Sequence, residues 1–265
     1  MPRVTDREAR RFAPERHAAI LRRLDGEGSV VSAQIAAGLG VSIDTVRRDL
    51  GELEASGALR RVHGGAVRPS PHPRRFADRL VHDDPARAVV AGLAAGLVSR
   101  GQLVALGGGT TMLLVARELP RDLEATVVTA SPDVALALRE HPGVEVDLLG
   151  GRLHRDSQTL TGADTVEQLQ AVRPDVCIVS ACGVDAEAGV TLRERAEALV
   201  VRVMLARAGR AIVLASADKL GLAGPYVVTS MARVDMLVTE APRTALGAYE
   251  ALGVALVTPA VPAGV

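Results

Sequence analysis

Residues 38–66, GLGVSIDTVRRDLGELEASGALRRVHGGA, limit what this chain can fold into more than any other stretch. Gly40 ends one helical pattern and Ser42 is an N-cap residue for the next, so two helices must meet through a very short turn. From there Ile43, Val46, Leu50 and Leu53 recur at i, i+3, i+7 and i+10, which makes one apolar face of a helix. Asp44, Thr45, Arg47 and Arg48 fall on its outer side, in the N-terminal half. Gly57 is placed to close the helix in the left-handed conformation. Leu59–Val62, a His63–Gly64–Gly65 turn and Ala66–Val67 then read as a short basic hairpin. A tight helix pair followed by a hairpin is the arrangement of a winged helix-turn-helix, which sets its second helix in the DNA major groove.

The residues upstream supply the missing helices. Met1–Ala13 is charged and expected to fray. Pro14 suits a first helical position, and Ala18, Ile20, Leu21 and Leu24 form an apolar stripe. After a turn at Asp25–Ser29 and a brief strand at Val30–Val31, Ser32 is the expected N-cap of a second helix with Ile35, Ala36 and Leu39 inward.

The 265-residue chain carries no net charge, which by itself speaks against a nucleic-acid partner. The distribution matters more: residues 1–68 hold 12 Arg against 9 Asp plus Glu, a mild excess that puts the weight on where the arginines stand. Aromatics are only 2% of the chain, which excludes binding of single strands by base stacking. Apolar residues at 48% and charged residues at 23% fit a globular protein with room for one small and one mid-sized domain. Two cysteines, Cys177 and Cys182, share one apolar run at a spacing that turns them to opposite faces of a strand, so neither a disulfide nor an oxidising compartment is expected. No signal peptide and no membrane-spanning stretch is read, so the expected location is cytoplasmic. The six histidines are scattered without ligand spacing, and no metal site or cofactor is expected.

Residues 14–67 therefore form the first expected domain. The following RPSPHPRR opens a semi-rigid linker over 68–80. From 81 to 258 apolar strands and amphipathic helices alternate, which defines an α/β domain with a largely parallel sheet. Strands are expected at Leu103–Leu106, Thr126–Thr129, Val144–Leu149, Val176–Ala181, Ala211–Ala215, Met236–Thr239 and Ala255–Val257. Helices are expected at Thr111–Leu119, Asp133–Leu138, Arg195–Ala208 and Thr244–Leu252, with Val89, Leu93 and Leu97 lining another. In such sheets ligands sit at the carboxyl ends of the strands. The loop Gly107–Gly108–Gly109–Thr110–Thr111 joins a strand to a helix and offers amides and hydroxyls to an anion. It has neither a Walker ending nor a dinucleotide fingerprint. Gly150–Gly151–Arg152 and Gly183–Val184–Asp185 follow two further strands, although each glycine-rich loop is also what a tight turn needs.

The pieces LGVS, TVRRDL, LE, G and RVHGGA, standing at Leu39–Ser42, Thr45–Leu50, Leu53–Glu54, Gly57 and Arg61–Ala66, resemble the DNA-binding domain of DeoR-family transcription regulators. The resemblance implies DNA contacts from Ser42, Thr45, Arg47 and Arg48, with Arg60, Arg61 and His63 on the wing. Residues 87–240 are similar to the same family's sensor domain, which has a fold like ribose-5-phosphate isomerase and binds phosphorylated sugars. Matching positions are Gly109–Thr111, Thr129, Ser131, Gly150–Gly151, Gly162, Gly183, Asp185, Gly189, Thr191, Glu197, Met204 and Lys219, the only lysine in the chain. The implied effector-binding residues are Gly108, Gly109, Thr110, Thr111, Ser131, Gly151, Arg152, Gly183, Asp185 and Lys219. The chain departs from the family pattern at Gly107, Cys182, Ser216, Ala130 and Ala86, which replace polar or acidic residues with small or apolar ones and so weaken or redirect polyol recognition.

The reading that follows is a repressor of carbohydrate-metabolism genes, acting on double-stranded operator DNA as a homodimer or homotetramer and answering a small phosphorylated effector. One alternative is a regulator whose altered pocket answers a non-sugar ligand or none. The alternative from another class is a sugar-phosphate isomerase, for which Asp185, Glu197 and Lys219 are the only candidate proton-transfer groups in the matched loops.

Overall fold

The computed structural model describes residues 13–27, 29–62, 64–67, 75–81 and 84–260. The chain divides into two compact units, residues 1–71 with 221–223 and residues 72–220 with 224–265.

The first unit contains helices α1 (Ala13–Glu27), α2 (Ser32–Leu39) and α3 (Ile43–Ala55) and strands β1 (Ser29–Val31), β2 (Arg60–Val62) and β3 (Gly65–Val67). The strands form an antiparallel sheet in the order β1-β3-β2. Ile20, Leu24, Val30, Ile35, Val46, Leu50, Leu53 and Leu59 make one core between the helices and the sheet. Ile43, expected on the buried face of α3, is 40% exposed, because as the first helical residue it precedes the turn that packs. Ser32, expected as an N-cap, is instead the first residue of α2. Its N–H is given to the Gly64 carbonyl, so the wing turn satisfies a donor that a side chain would otherwise cap. Gly57 meets its expectation: at φ 76° it lets the Ala58 N–H reach back to the Leu53 carbonyl and end α3.

The second unit opens with α4 (Phe76–Val81) and α5 (Pro85–Ala95). Helix α4 lies inside the stretch expected as linker. Its Phe76 is buried and donates its N–H to the Asp156 carbonyl, so one apolar residue after the prolines was enough to anchor the chain. In α5 the buried face is Val90, Ala91 and Ala94, while Val89, expected inward, is 43% exposed. The buried stripe is built on alanines, which lets α5 approach closely and which a search for large apolar residues misses.

There follow β4 (Leu103–Leu106), α6 (Thr110–Glu118), β5 (Ala125–Thr129), α7 (Pro132–Ala137), β6 (Val144–Leu148), a hairpin of β7 (Arg152–His154) and β8 (Thr159–Thr161), and α8 (Ala163–Gln170). Then come β9 (Val176–Ser180), β10 (Gly183–Asp185), β11 (Gly189–Leu192), α9 (Arg195–Arg207), β12 (Arg210–Leu214), β13 (Tyr226–Thr229), β14 (Met236–Val238), α10 (Gly247–Ala251) and β15 (Ala255–Val257). Seven strands make one sheet in the order β15-β14-β12-β9-β4-β5-β6, and every neighbouring pair is parallel. These are the seven strands expected from the sequence. Their side chains alternate between two cores. Ala105, Val128, Cys177, Val179 and Val213 join Val200 and Met204 on one face, while Leu106, Val127, Ile178, Ile212 and Leu214 join Val90, Met112 and Val115 on the other. Burial on both faces explains why the inner strands read as continuous apolar runs, whereas edge strand β6 alternates Val144, Glu145, Val146 and Asp147.

From β4 the chain builds outward through β5 to β6, then returns to β9 and builds the other way to β15. The order therefore reverses between β4 and β9, and the crevice beyond their carboxyl ends is the place where open parallel sheets take ligands.

Candidate nucleic-acid interface and ligand pocket

In the first unit the recognition helix starts on Ser42, whose Oγ accepts the Thr45 N–H at 3.1 Å and lies 2.9 Å from Thr45 Oγ1. Both hydroxyls are thereby held at the exposed N-terminal end of α3, where unpaired amides favour an anion such as a phosphate. Ser42→Ala is expected to cost about 1 kcal/mol of stability, read as a lower denaturation midpoint with an unchanged slope. Arg47 is 63% exposed and is held 3.1 Å from Asp44 Oδ1 one turn earlier. Arg48 is exposed and has no hydrogen bond or ion pair among the described residues. Arg61 is exposed on β2 with its backbone N–H bonded to Glu54 Oε1 at 2.9 Å, which fixes the wing against α3. The Arg60 side chain and His63 lie outside the described residues.

Asp49, between these arginines in sequence, points the opposite way. It is 2% exposed and accepts two hydrogen bonds of 2.7 Å from Arg16 Nε and Nη2. Burial works against its ionisation, but the Arg16 bonds and charge, with His17, outweigh it and hold the carboxyl below the usual carboxylate range. Asp49 therefore clamps α1 to α3 and leaves the arginine pair outward.

In the second unit the loop after β4 reaches the switch point. Gly107 donates its N–H to the Ile178 carbonyl, and Gly109 at φ 96° is the N-cap of α6. Thr110 and Thr111 are buried at the start of that helix. A Cβ on Gly108 would stand 2.2 Å from Thr159 Oγ1 and 3.4 Å from Ser131 Cβ, so two other segments close on this backbone. Thr159, which sequence reasoning passed over, comes from the β7–β8 hairpin. Next to it Gln158 has a positive φ of 53°, unusual for a residue that is not glycine. Ser131 is fully buried, with its N–H on Thr129 Oγ1 at 3.1 Å.

The remaining expected residues fall in two groups, Gly151 with Arg152 at the β7–β8 hairpin and Gly183–Asp185 beside Lys219, where Val184 bridges to Leu220. Gly151 packs against Thr165 and Thr161, and Arg152 pairs with Thr161 at the end of the hairpin away from Thr159. Gly183–Asp185, expected as a loop, is strand β10, paired antiparallel with β11. The difference comes from Asp185, whose Oδ1 accepts the N–H groups of Glu187 and Ala188 and turns the chain into a hairpin. Lys219 ends a short 3-10 turn after β12.

A charged group that composition did not reveal surrounds Cys182, just past β9. Burial pushes the Cys182 thiol up and Glu197 adds to the rise, while Arg193, Lys219 and Arg79 oppose it. Burial also pushes the Glu197 carboxyl up against the pull of Arg79 and His154, and pushes Lys219 down against Asp218. Arg79 lay in the expected linker, and Phe76, three residues before it, was the signal that could have placed it in the domain. Cys182 thus lies in the field of three cations and of the Glu197 carboxyl.

A winged helix-turn-helix joined to a parallel α/β unit is the architecture of a DNA-binding regulator. Residues 16–72 match the DeoR-like helix-turn-helix domain, and residues 84–241 match the DeoR C terminal sensor domain. The chain belongs to the DeoR family of transcription regulators. It is 32% identical over 231 residues to the HTH-type transcriptional repressor GlcR of Bacillus subtilis, covering 86% of this chain and 89% of that protein. It is 31% identical over 231 residues to the HTH-type transcriptional regulator GolR of Listeria innocua, covering 86% of this chain and 91% of that protein. Ribose 5-phosphate isomerase A of Methanocaldococcus jannaschii superposes with a TM-score of 0.37 at 19% identity, over 51% of this chain and 53% of that one. A likeness that distant says nothing of activity; the family matched is one of transcription regulators, and the protein is a regulator rather than an enzyme. Among the described residues no helix is long and apolar enough to cross a membrane.

Proposed function

We propose that the protein is a repressor of carbohydrate-metabolism genes. As a homodimer or homotetramer it holds paired operator half-sites through Ser42, Thr45, Arg47, Arg48, Arg60, Arg61 and His63. A small phosphorylated effector binds the sensor unit and lowers operator affinity. Paired readers are needed because one recognition helix buries too little surface for operator-level affinity. The observation that carries the effector reading is the closure of Ser131 and Thr159 on Gly108, beside the buried Thr110 and Thr111 at the start of α6. Glycine backbone at a helix N-terminus with converging hydroxyls is suited to a phosphate. Lys219 and the Arg79–Arg193 pair of cations support the same charge, and Glu197 is an acceptor for hydroxyls. Of the other expected effector residues, Gly151, Arg152, Gly183 and Asp185 take turn and strand roles in this reading.

A second reading keeps the phosphate and changes the rest of the ligand. It is favoured by Cys182, which with Gly107, Ala130 and Ser216 leaves the crevice fewer carboxylate and amide acceptors than polyol recognition uses. Thermal-shift measurements with sugar phosphates, inorganic phosphate and nucleotides separate the two. A rise with sugar phosphates alone supports the first reading, a rise with other phosphates the second, and silence across all of them removes the effector. Gly108→Ala should abolish any such rise, because the added methyl displaces Thr159, while DNA binding without effector is retained.

A further inference from the structure

Helix α1 and the recognition helix bring three potential metal ligands together in the first unit. His17 Nε2 lies 3.3 Å from Asp49 Oδ1 and 3.6 Å from Glu52 Oε2, and the three donor atoms all fall within 4.8 Å of one another. Asp49 and Glu52 stand three residues apart, on one face of α3. We propose that His17, Asp49 and Glu52 form a three-ligand site for a divalent transition-metal ion, which ties α1 to the recognition helix.

The spacing fits the ion. Tetrahedral coordination at about 2.0–2.1 Å places neighbouring donor atoms about 3.3–3.4 Å apart, and the two His17 separations are close to that. His17 Nε2 is buried and has no hydrogen bond among the described residues, a cost that coordination would remove. One imidazole with two carboxylates is a donor set for zinc or cobalt, whereas calcium and magnesium prefer oxygen alone. Asp49 is buried, but Glu52 is 56% exposed, which gives an entry path and leaves a coordination position for water. Arg16 holds both Asp49 oxygens, fixing the carboxylate in the way an outer-shell partner orients a ligand. Its charge weakens the site without cancelling it, since two carboxylates face one guanidinium. The rival is an ion-pair hub in which a protonated His17 bridges both carboxylates and no metal enters.

The test uses the full-length protein stripped with a chelator and titrated with Co2+ and with Zn2+. The expected result is a stoichiometric cobalt absorption band of tetrahedral type and a melting temperature that rises with zinc, as ligand binding to the folded state requires. Glu52→Gln should lose both responses while melting like the parent in chelator, because the residue is exposed, and His17→Gln should lose them as well. Absence of the cobalt band and of the zinc shift in the parent overturns the proposal in favour of the ion-pair hub. Full responses retained in both variants place the ion elsewhere and overturn it equally. Should His17→Gln fail to fold, Glu52→Gln alone decides.

Discussion

Arg48→Ala is expected to abolish specific operator binding while the protein keeps its fold and melting temperature. The side chain is exposed on the outer face of α3 and has no partner among the described residues, so its removal costs the folded state nothing that can be named. An arginine on a base edge is worth about 1–3 kcal/mol of discrimination, counted once per half-site in a symmetric dimer. Arg47→Ala should act in the same direction. Its contact with Asp44 is a surface ion pair, worth about 0–1 kcal/mol, which orients the guanidinium without committing it. Salt titration of each variant distinguishes the roles. Loss of a phosphate contact lowers the slope by about one unit and weakens all sequences alike, while loss of a base contact relaxes specificity. Parent-like footprints from both variants would contradict the assignment of α3 as the reader.

The other large effect is expected from a residue that touches no DNA. Asp49→Ala removes a buried carboxylate that carries both Arg16 hydrogen bonds and faces His17. Breaking such a pair from one side costs about 3–5 kcal/mol, and the lower end applies here because Arg16 keeps some access to water. Chemical denaturation of the parent and variant, followed by a signal from the first unit, measures the difference. A variant as stable as the parent would mean that the clamp between α1 and α3 contributes nothing. DNA binding should fall along with stability, and melting data separate this loss from that of Arg48→Ala.

The contrast between these two residues shows where sequence reasoning reached. Arg48 was assigned outward from the apolar period of α3 alone, because a helix has one buried face and the rest must be solvated. For Asp49 no partner could be named from the sequence. Arg16 lies on another helix, and no local rule joins them. In the sensor unit the inner strands were legible because burial on both faces forces unbroken apolar runs, and edge strand β6 because its Val144, Glu145, Val146 and Asp147 alternate. The short hairpins were not, since β7, β8, β10 and β11 are three or four residues long and are fixed by single polar bonds such as those of Asp185. Helix α4 was taken for linker because three prolines masked one buried phenylalanine.

By itself the sequence determined the main-sheet strands and the outward arginine pair, which follow from periodicity, caps and turn residues read along the chain, and its motifs carried the resemblance to the family. Only the tertiary structure decided which distant residues meet. It put Thr159 and Ser131 against Gly108, Arg79 and Arg193 around Cys182, and His17 beside Asp49 and Glu52. Such encounters depend on how helices and loops pack after the chain has folded back on itself, and local propensity carries no record of them.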